Sequence, residues 1–208
     1  CLPCAEGKYS DTPGITSGDS CQNCSRGTYL ETQGNDASSD CVDCAEGKYS
    51  EVDGSPSGTT CLNCTVGTYL NTTGNNALSD CMPCGKGKYS LVYGSTTIST
   101  CLECSAGKYL DSTGNNNSTD CVECVAGKYS DVDGSPSGTT CLNCPPGTYL
   151  DTQGNDALSD CVDCAEGKYS DVNGSPSGTT CLNCTAGTYL QSTGNNAPSD
   201  CIACVAGK

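Results

Sequence analysis

Histidine, tryptophan and phenylalanine are absent from this chain of 208 residues, and methionine occurs once. Without histidine the usual general base and the commonest metal ligand are missing, so any catalysis would fall to carboxylates or thiolates. Without the large aromatics, and with no apolar run of helical period, the chain has too little to build an ordinary globular core of its length. Positive charge is scarce as well: 9 Lys and Arg stand against 24 Asp and Glu, a formal charge of −15 that repels phosphate and excludes nucleic acid as a partner. No enzyme is expected.

What the chain has is cysteine, at 22 positions. All of them fall on positions 1 and 4 of a frame that begins at Cys1 and returns every twentieth residue, with Gly at position 7, Tyr at 9 and Gly at 14 in all ten full copies. The copies run 1-20, 21-40, 41-60, 61-80, 81-100, 101-120, 121-140, 141-160, 161-180 and 181-200, and 201-208 is a truncated eleventh. So strict a register implies one structural step per copy, stacked on the next. A period of forty overlies the first. Odd copies read Gly-Lys-Tyr-Ser with Val or Thr at position 12, whereas even copies mostly read Gly-Thr-Tyr-Leu, so the apolar residue moves from position 10 (Leu30, Leu70, Leu110, Leu150, Leu190) to position 12 (Val52, Val92, Val132, Val172). Residues two apart in an extended segment share a face, and the two kinds of copy are expected to fill one apolar strip from alternate ends.

Ordering twenty residues costs on the order of 30 kcal/mol, which would need roughly 1,200 Å² of apolar burial per copy. One Tyr, an aliphatic residue at position 2 and another at 10 or 12 fall short of it. Closing a loop of about 17 residues with a disulfide removes roughly 3 kcal/mol of that cost. The cysteines therefore stand in for the missing core, and an oxidising, extracellular compartment follows.

A rival reading is metal, because two CxxC knuckles at this interval also match a four-cysteine zinc site. Eleven knuckles at one spacing in an acidic chain argue against it. A thioredoxin-like redox role lacks the βαβ context. The segment holding Asp131 and Asp133, which becomes Glu51 and Asp53 or Asp171 and Asn173 elsewhere, shares the D-x-D-G form of calcium loops, but Asx turns with solvated charge account for it. No metal and no other cofactor is expected. Bridging within a CxxC would close a tiny strained ring. Two patterns remain open on spacing: position 4 of one copy to position 1 of the next, or interleaved bridges such as Cys1 to Cys21 with Cys4 to Cys24.

Cys144-Pro-Pro-Gly-Thr-Tyr-Leu, followed by Gly154 and then Cys161-Val-Asp-Cys164, resembles the cysteine-rich repeat of ephrin receptors, which is akin to the modules of tumour necrosis factor receptors. The resemblance covers the whole chain. It implies a small disulfide-rich fold, mostly irregular with short β-strands, drawn out into a rod or solenoid of tandem 20-residue repeats. It also implies the first bridge pattern: Cys4 to Cys21, Cys24 to Cys41, Cys44 to Cys61, Cys64 to Cys81, Cys84 to Cys101, Cys104 to Cys121, Cys124 to Cys141, Cys144 to Cys161, Cys164 to Cys181 and Cys184 to Cys201. The ninth-position tyrosines, Tyr9, Tyr29, Tyr49 and their equivalents, would pack over the adjoining bridge.

Local signals agree with such a module. Positions 7 to 10 offer a short strand, bounded by the knuckle and by turns such as Asp53-Gly54, Asp133-Gly134 and Gly74-Asn75-Asn76. Contacts confined to neighbouring copies leave no central cavity or deep cleft.

Asn71, Asn117 and Asn173 are N-glycan acceptor candidates by the N-x-S/T rule, followed by Asn116 and by Asn23, Asn63 and Asn183, the last three lying inside a CxxC. The hydroxyl-rich SPSGTT segments at Ser55, Ser135 and Ser175 are candidates for O-linked sugar. The fifth copy departs from the rest: it has no acid between Met82 and Thr100, carries Lys86 and Lys88, and has Tyr93 and Ile98 where other copies are polar. These four residues are a candidate lateral contact with a neighbouring chain.

With no signal peptide, membrane span or capping repeat in the sequence, the chain is expected to be a window of a longer array. The expected function is that of an extracellular structural protein, part of a long glycosylated filament, fibril or cell-surface stalk, with neighbouring chains and covalent glycans as partners. The alternatives are the ligand-binding ectodomain of a receptor-like surface protein and a zinc-binding array.

Overall fold

The computed structural model describes residues 2–205. The chain falls into two compact units, one of Cys1–Gly85, Tyr89–Leu102 and Gly114–Asn117, the other of Lys86–Lys88, Glu103–Thr113 and Ser118–Lys208. The same local pattern builds both. A two-residue strand ending in the ninth-position Tyr pairs antiparallel with positions 2 and 3 of the next copy. Examples are Thr28–Tyr29 with Val42–Asp43 in the first unit and Lys128–Tyr129 with Leu142–Asn143 in the second. Short 3₁₀ turns, such as Gly58–Thr60 and Leu78–Asp80, close the copies, and no α-helix occurs among the described residues.

The strands are short because a tight turn abuts each one. In the third copy the Lys48 N–H donates to Ala45 C=O at 3.1 Å, with Gly47 at φ 76° in the third place of the turn. That is the place where a type II turn requires positive φ, so Gly is found there.

The forty-residue period is a change of turn chemistry on one backbone. In the third copy Ser57 Oγ accepts from the Thr59 N–H at 3.3 Å, and Thr60 Oγ1 donates to Ser57 C=O at 2.9 Å. In the fourth, Ala77 cannot cap. Asp80 reaches back instead, and its Oδ2 accepts from the Asn76 and Ala77 N–H groups, each at 3.0 Å. Loss of such a side-chain cap costs about 1 kcal/mol. Asp80→Ala is therefore expected to speed hydrogen exchange at the Asn76 and Ala77 amides while leaving those of the third-copy turn unchanged.

The apolar strip shared between positions 10 and 12 is not formed. Leu30 and Leu70 are 3% and 2% exposed, but Val52 and Val132 are 45% and 46% exposed. The reason lies in the backbone. Position 10 points inward in both kinds of copy, its N–H donating to position 15 of the following copy: Leu70 to Ser95 C=O at 2.9 Å, Ser50 to Asn75 C=O at 3.0 Å. In odd copies the inward place is held by a fully buried Ser (Ser50 in the first unit, Ser170 in the second), and Val at position 12 is left on the turn outside. Position 2 contributes little core either, since Leu62 and Leu142 are about half exposed. Buried apolar volume is thus even smaller than composition suggests.

Candidate functional site

The feature that recurs through both units is the junction between copies, centred on the fourth-position cysteine. Cys44 is fully buried, and all three of its polar or reactive groups leave its own copy. Its N–H donates to Gly27 C=O of the preceding copy at 2.8 Å, its C=O accepts from the Gly74 N–H of the following copy at 2.9 Å, and its sulfur bonds Cys61 of that same copy. Cys144 repeats this in the second unit, with Gly127 at 2.9 Å, Gly174 at 2.8 Å and Cys161. Ten bridges join position 4 to position 1 of the next copy, from Cys4–Cys21 to Cys184–Cys201, each across 17 residues of sequence. The interleaved alternative is not formed, and with these twenty cysteines bridged the zinc reading has no support. Among the described residues no three His, Cys, Asp or Glu side chains converge as a metal site requires.

A second contact reaches two copies ahead. A Cβ on Gly47 would overlap the carbonyl oxygen of Gly94, and one on Gly127 that of Gly174. The invariant glycines at positions 7 and 14 therefore meet each other, backbone on backbone, as well as supplying positive φ. The frame shows that both glycines are needed but not what they touch.

The tyrosines seal the junction. Tyr49 clusters with Leu70 and with both sulfurs of the Cys64–Cys81 bridge. Tyr29 lies over Gly58, where a Cβ would come within 3.1 to 3.4 Å of the ring, and Tyr109 and Tyr149 lie likewise over Gly138 and Gly178 in the second unit. Gly at position 18 is confined to odd copies; that alternation was a usable signal for an aromatic neighbour. The buried hydroxyl cluster of odd copies had none. Ser55 Oγ and Thr60 Oγ1 share a 2.5 Å hydrogen bond, with Ser50 Oγ donating to Thr60 Oγ1 at 3.4 Å. Ser55, Ser135 and Ser175 are fully buried, so those three serines are not acceptors for O-linked sugar.

Charged contacts between copies are few and exposed. Arg26 Nε lies 3.2 Å from Asp53 Oδ2, and Lys108 Nζ 3.2 Å from Glu123 Oε1; pairs so wet contribute no more than a few tenths of a kcal/mol. Glu31 Oε1 accepts from the Gly58 N–H at 3.0 Å, and Asp133 Oδ1 from the Ala106 N–H at 2.7 Å. Asp133 thus accepts from the backbone of the preceding copy, a contact between copies in place of the expected Asx turn.

Of the fifth-copy residues, Lys88 pairs through Nζ with Glu103 Oε1 at 3.1 Å, and Tyr93 and Ile98 are 62% and 60% exposed. Of the asparagine candidates, Asn23 and Asn63 sit in strands with their amides against Gly54 and Gly94, and Asn183 occupies the same strand position. Asn71, Asn116, Asn117 and Asn173 are exposed. A broad open groove in the first unit, lined by Leu2, Pro3, Ser10, Pro13, Ile15 and Gly34, departs from the expectation of a chain without clefts.

No family model matches the chain, and no curated protein is significantly similar to it. On its own structure it is a tandem cysteine-rich repeat array, with a bridge and a hairpin at each step. Bridges in this number fit an oxidising compartment, and among the described residues no helix is long and apolar enough to cross a membrane.

Proposed function

We propose that the chain is a structural, extracellular repeat protein: a stretch of a disulfide-laddered, glycosylated filament or cell-surface stalk, built like the arrays of ephrin-receptor-like modules it resembles. It supplies length and resistance to force and proteolysis, and it performs no catalysis and needs no metal. One observation carries this reading. The fourth-position cysteine makes the same backbone and covalent links to the copies before and after it throughout both units, so the stacking rule is carried by main chain and sulfur. Side chains facing solvent are then free to vary, as the acids at positions 11 and 13 do. Neighbouring chains would associate through the fifth copy, where Tyr93 is the exposed aromatic residue.

Small-angle scattering of the chain in solution tests it. A compact domain of this length has a radius of gyration of about 17 Å. The proposal expects at least about twice that value; a radius near the compact value would contradict a stalk or filament.

A further inference from the structure

The array presents seven N-x-S/T sequons, and the fold treats them differently. Asn23 and Asn63 lie in paired strands with their side-chain Oδ1 atoms against Gly54 and Gly94 of the next copy, so a sugar on either side chain would have to be built beside a close contact between copies. Asn183 holds the equivalent strand position. In Asn173-Gly174-Ser175 the acceptor hydroxyl is buried: Ser175 is fully covered and donates to Ser177 C=O at 3.0 Å. Asn116, Asn117, Ser118 and Thr119 each make contacts within the fold.

Asn71-Thr72-Thr73 is different. All three residues are exposed. Thr73 Oγ1 meets only the exposed carboxylate of Asp43, at 3.1 Å, and Thr72 Oγ1 donates to Asn75 Oδ1 at 3.2 Å. Asn71 stands at position 11, which is an acid in seven of the other nine full copies, and two of those acids serve the next copy. Glu31 accepts from the Gly58 N–H at 3.0 Å and Glu51 from the Leu78 N–H at 3.5 Å, both 27 residues on. The same register pairs Asn71 with Ile98, and Asn71 makes no side-chain hydrogen bond among the described residues. At this junction neither the acid nor the glycine is present, which leaves a solvated amide beside a usable hydroxyl.

We propose that Asn71 is the N-glycan acceptor of this array. The proposal rests on the extracellular reading above. The donor is an oligosaccharide carried on a lipid pyrophosphate. Asn71 Nδ2 bonds to the anomeric carbon and gives up one proton, and the bond from that carbon to the pyrophosphate oxygen breaks, releasing the lipid pyrophosphate.

The test is secretion of the chain from insect cells, followed by glycan release with a peptide amidase in heavy-oxygen water, which turns each glycan-bearing Asn into a labelled Asp. Label at Asn71 in most molecules, with none at Asn23, Asn63 or Asn183, is the expected result. Thr73→Val removes the hydroxyl while keeping Asn71 and is expected to abolish that label, whereas Thr72→Ala leaves it. An unlabelled Asn71 in secreted, fully bridged protein overturns the inference and leaves the structural reading untouched. Label at Asn63 equal to that at Asn71 overturns it too. Free thiols in the secreted chain would instead strike at the extracellular reading.

Discussion

Replacing Cys64 and Cys81 together by alanine is expected to destabilise the fourth and fifth copies by about 3 kcal/mol or more. The bridge spans 17 residues, and a crosslink over that distance removes about 3 kcal/mol of loop-closure entropy from the unfolded chain. Packing adds to this. The sulfurs sit in a cluster with Tyr49 and Leu70, which is most of the apolar material available at that junction, and truncation leaves a cavity that so thin a layer cannot refill. An ordinary domain absorbs such a loss in a large core. Here the same change is expected to release the amides of Gly94 and of residue 64 to hydrogen exchange at close to the unfolded rate, while copies outside the junction keep their protection. Uniform loss of protection along the whole chain would show that the copies fold as one cooperative block; no loss at all would show that the bridge is dispensable.

The second large effect belongs to glycine. Gly47→Ala combines two penalties. At φ 76° an L-residue pays roughly 1–2 kcal/mol, and its Cβ would overlap the Gly94 carbonyl oxygen, which is backbone and cannot swing aside. Gly14 separates the two contributions, because it has φ 75° with no atom within 4 Å of an added Cβ. Gly14→Ala is therefore expected to cost only the conformational part, about 1–2 kcal/mol. Gly47→Ala should cost at least twice as much and disturb the fifth copy as well as the third. Equal costs, by chemical denaturation monitored through exchange of individual amides, would mean that contact across two copies adds nothing to the strain.

The sequence made the step length plain, because an interval of twenty with no insertion allows no other unit. Bridge topology was half legible: spacing left two patterns, and resemblance to a known module chose between them. The interior was misread for a definable reason. Tyr49-Ser50-Glu51-Val52 looks like an extended segment that should bury the same face at Ser50 and Val52, and hydrophobicity favours Val52. Yet the chain turns directly after position 10, so the inward place goes to Ser50, whose hydroxyl donates to Thr60 Oγ1 and accepts from the Val52 N–H. Side-chain alternation cannot announce a turn one residue away, and a buried serine looks in sequence like an exposed one. The fifth copy stands out in sequence for Lys86 and Lys88, but sequence does not show that Lys88 pairs with Glu103, a residue fifteen places on that belongs to the next copy.

The most direct test is complete reduction and alkylation of the thiols in native buffer, followed by amide hydrogen exchange over the whole chain. If sulfur stands in for the missing core, the slow-exchanging amides of the junctions, those of Cys44, Gly74, Cys144 and Gly174 among them, will all exchange at unfolded rates once the bridges are gone. Retention of their protection in the fully alkylated chain would contradict it.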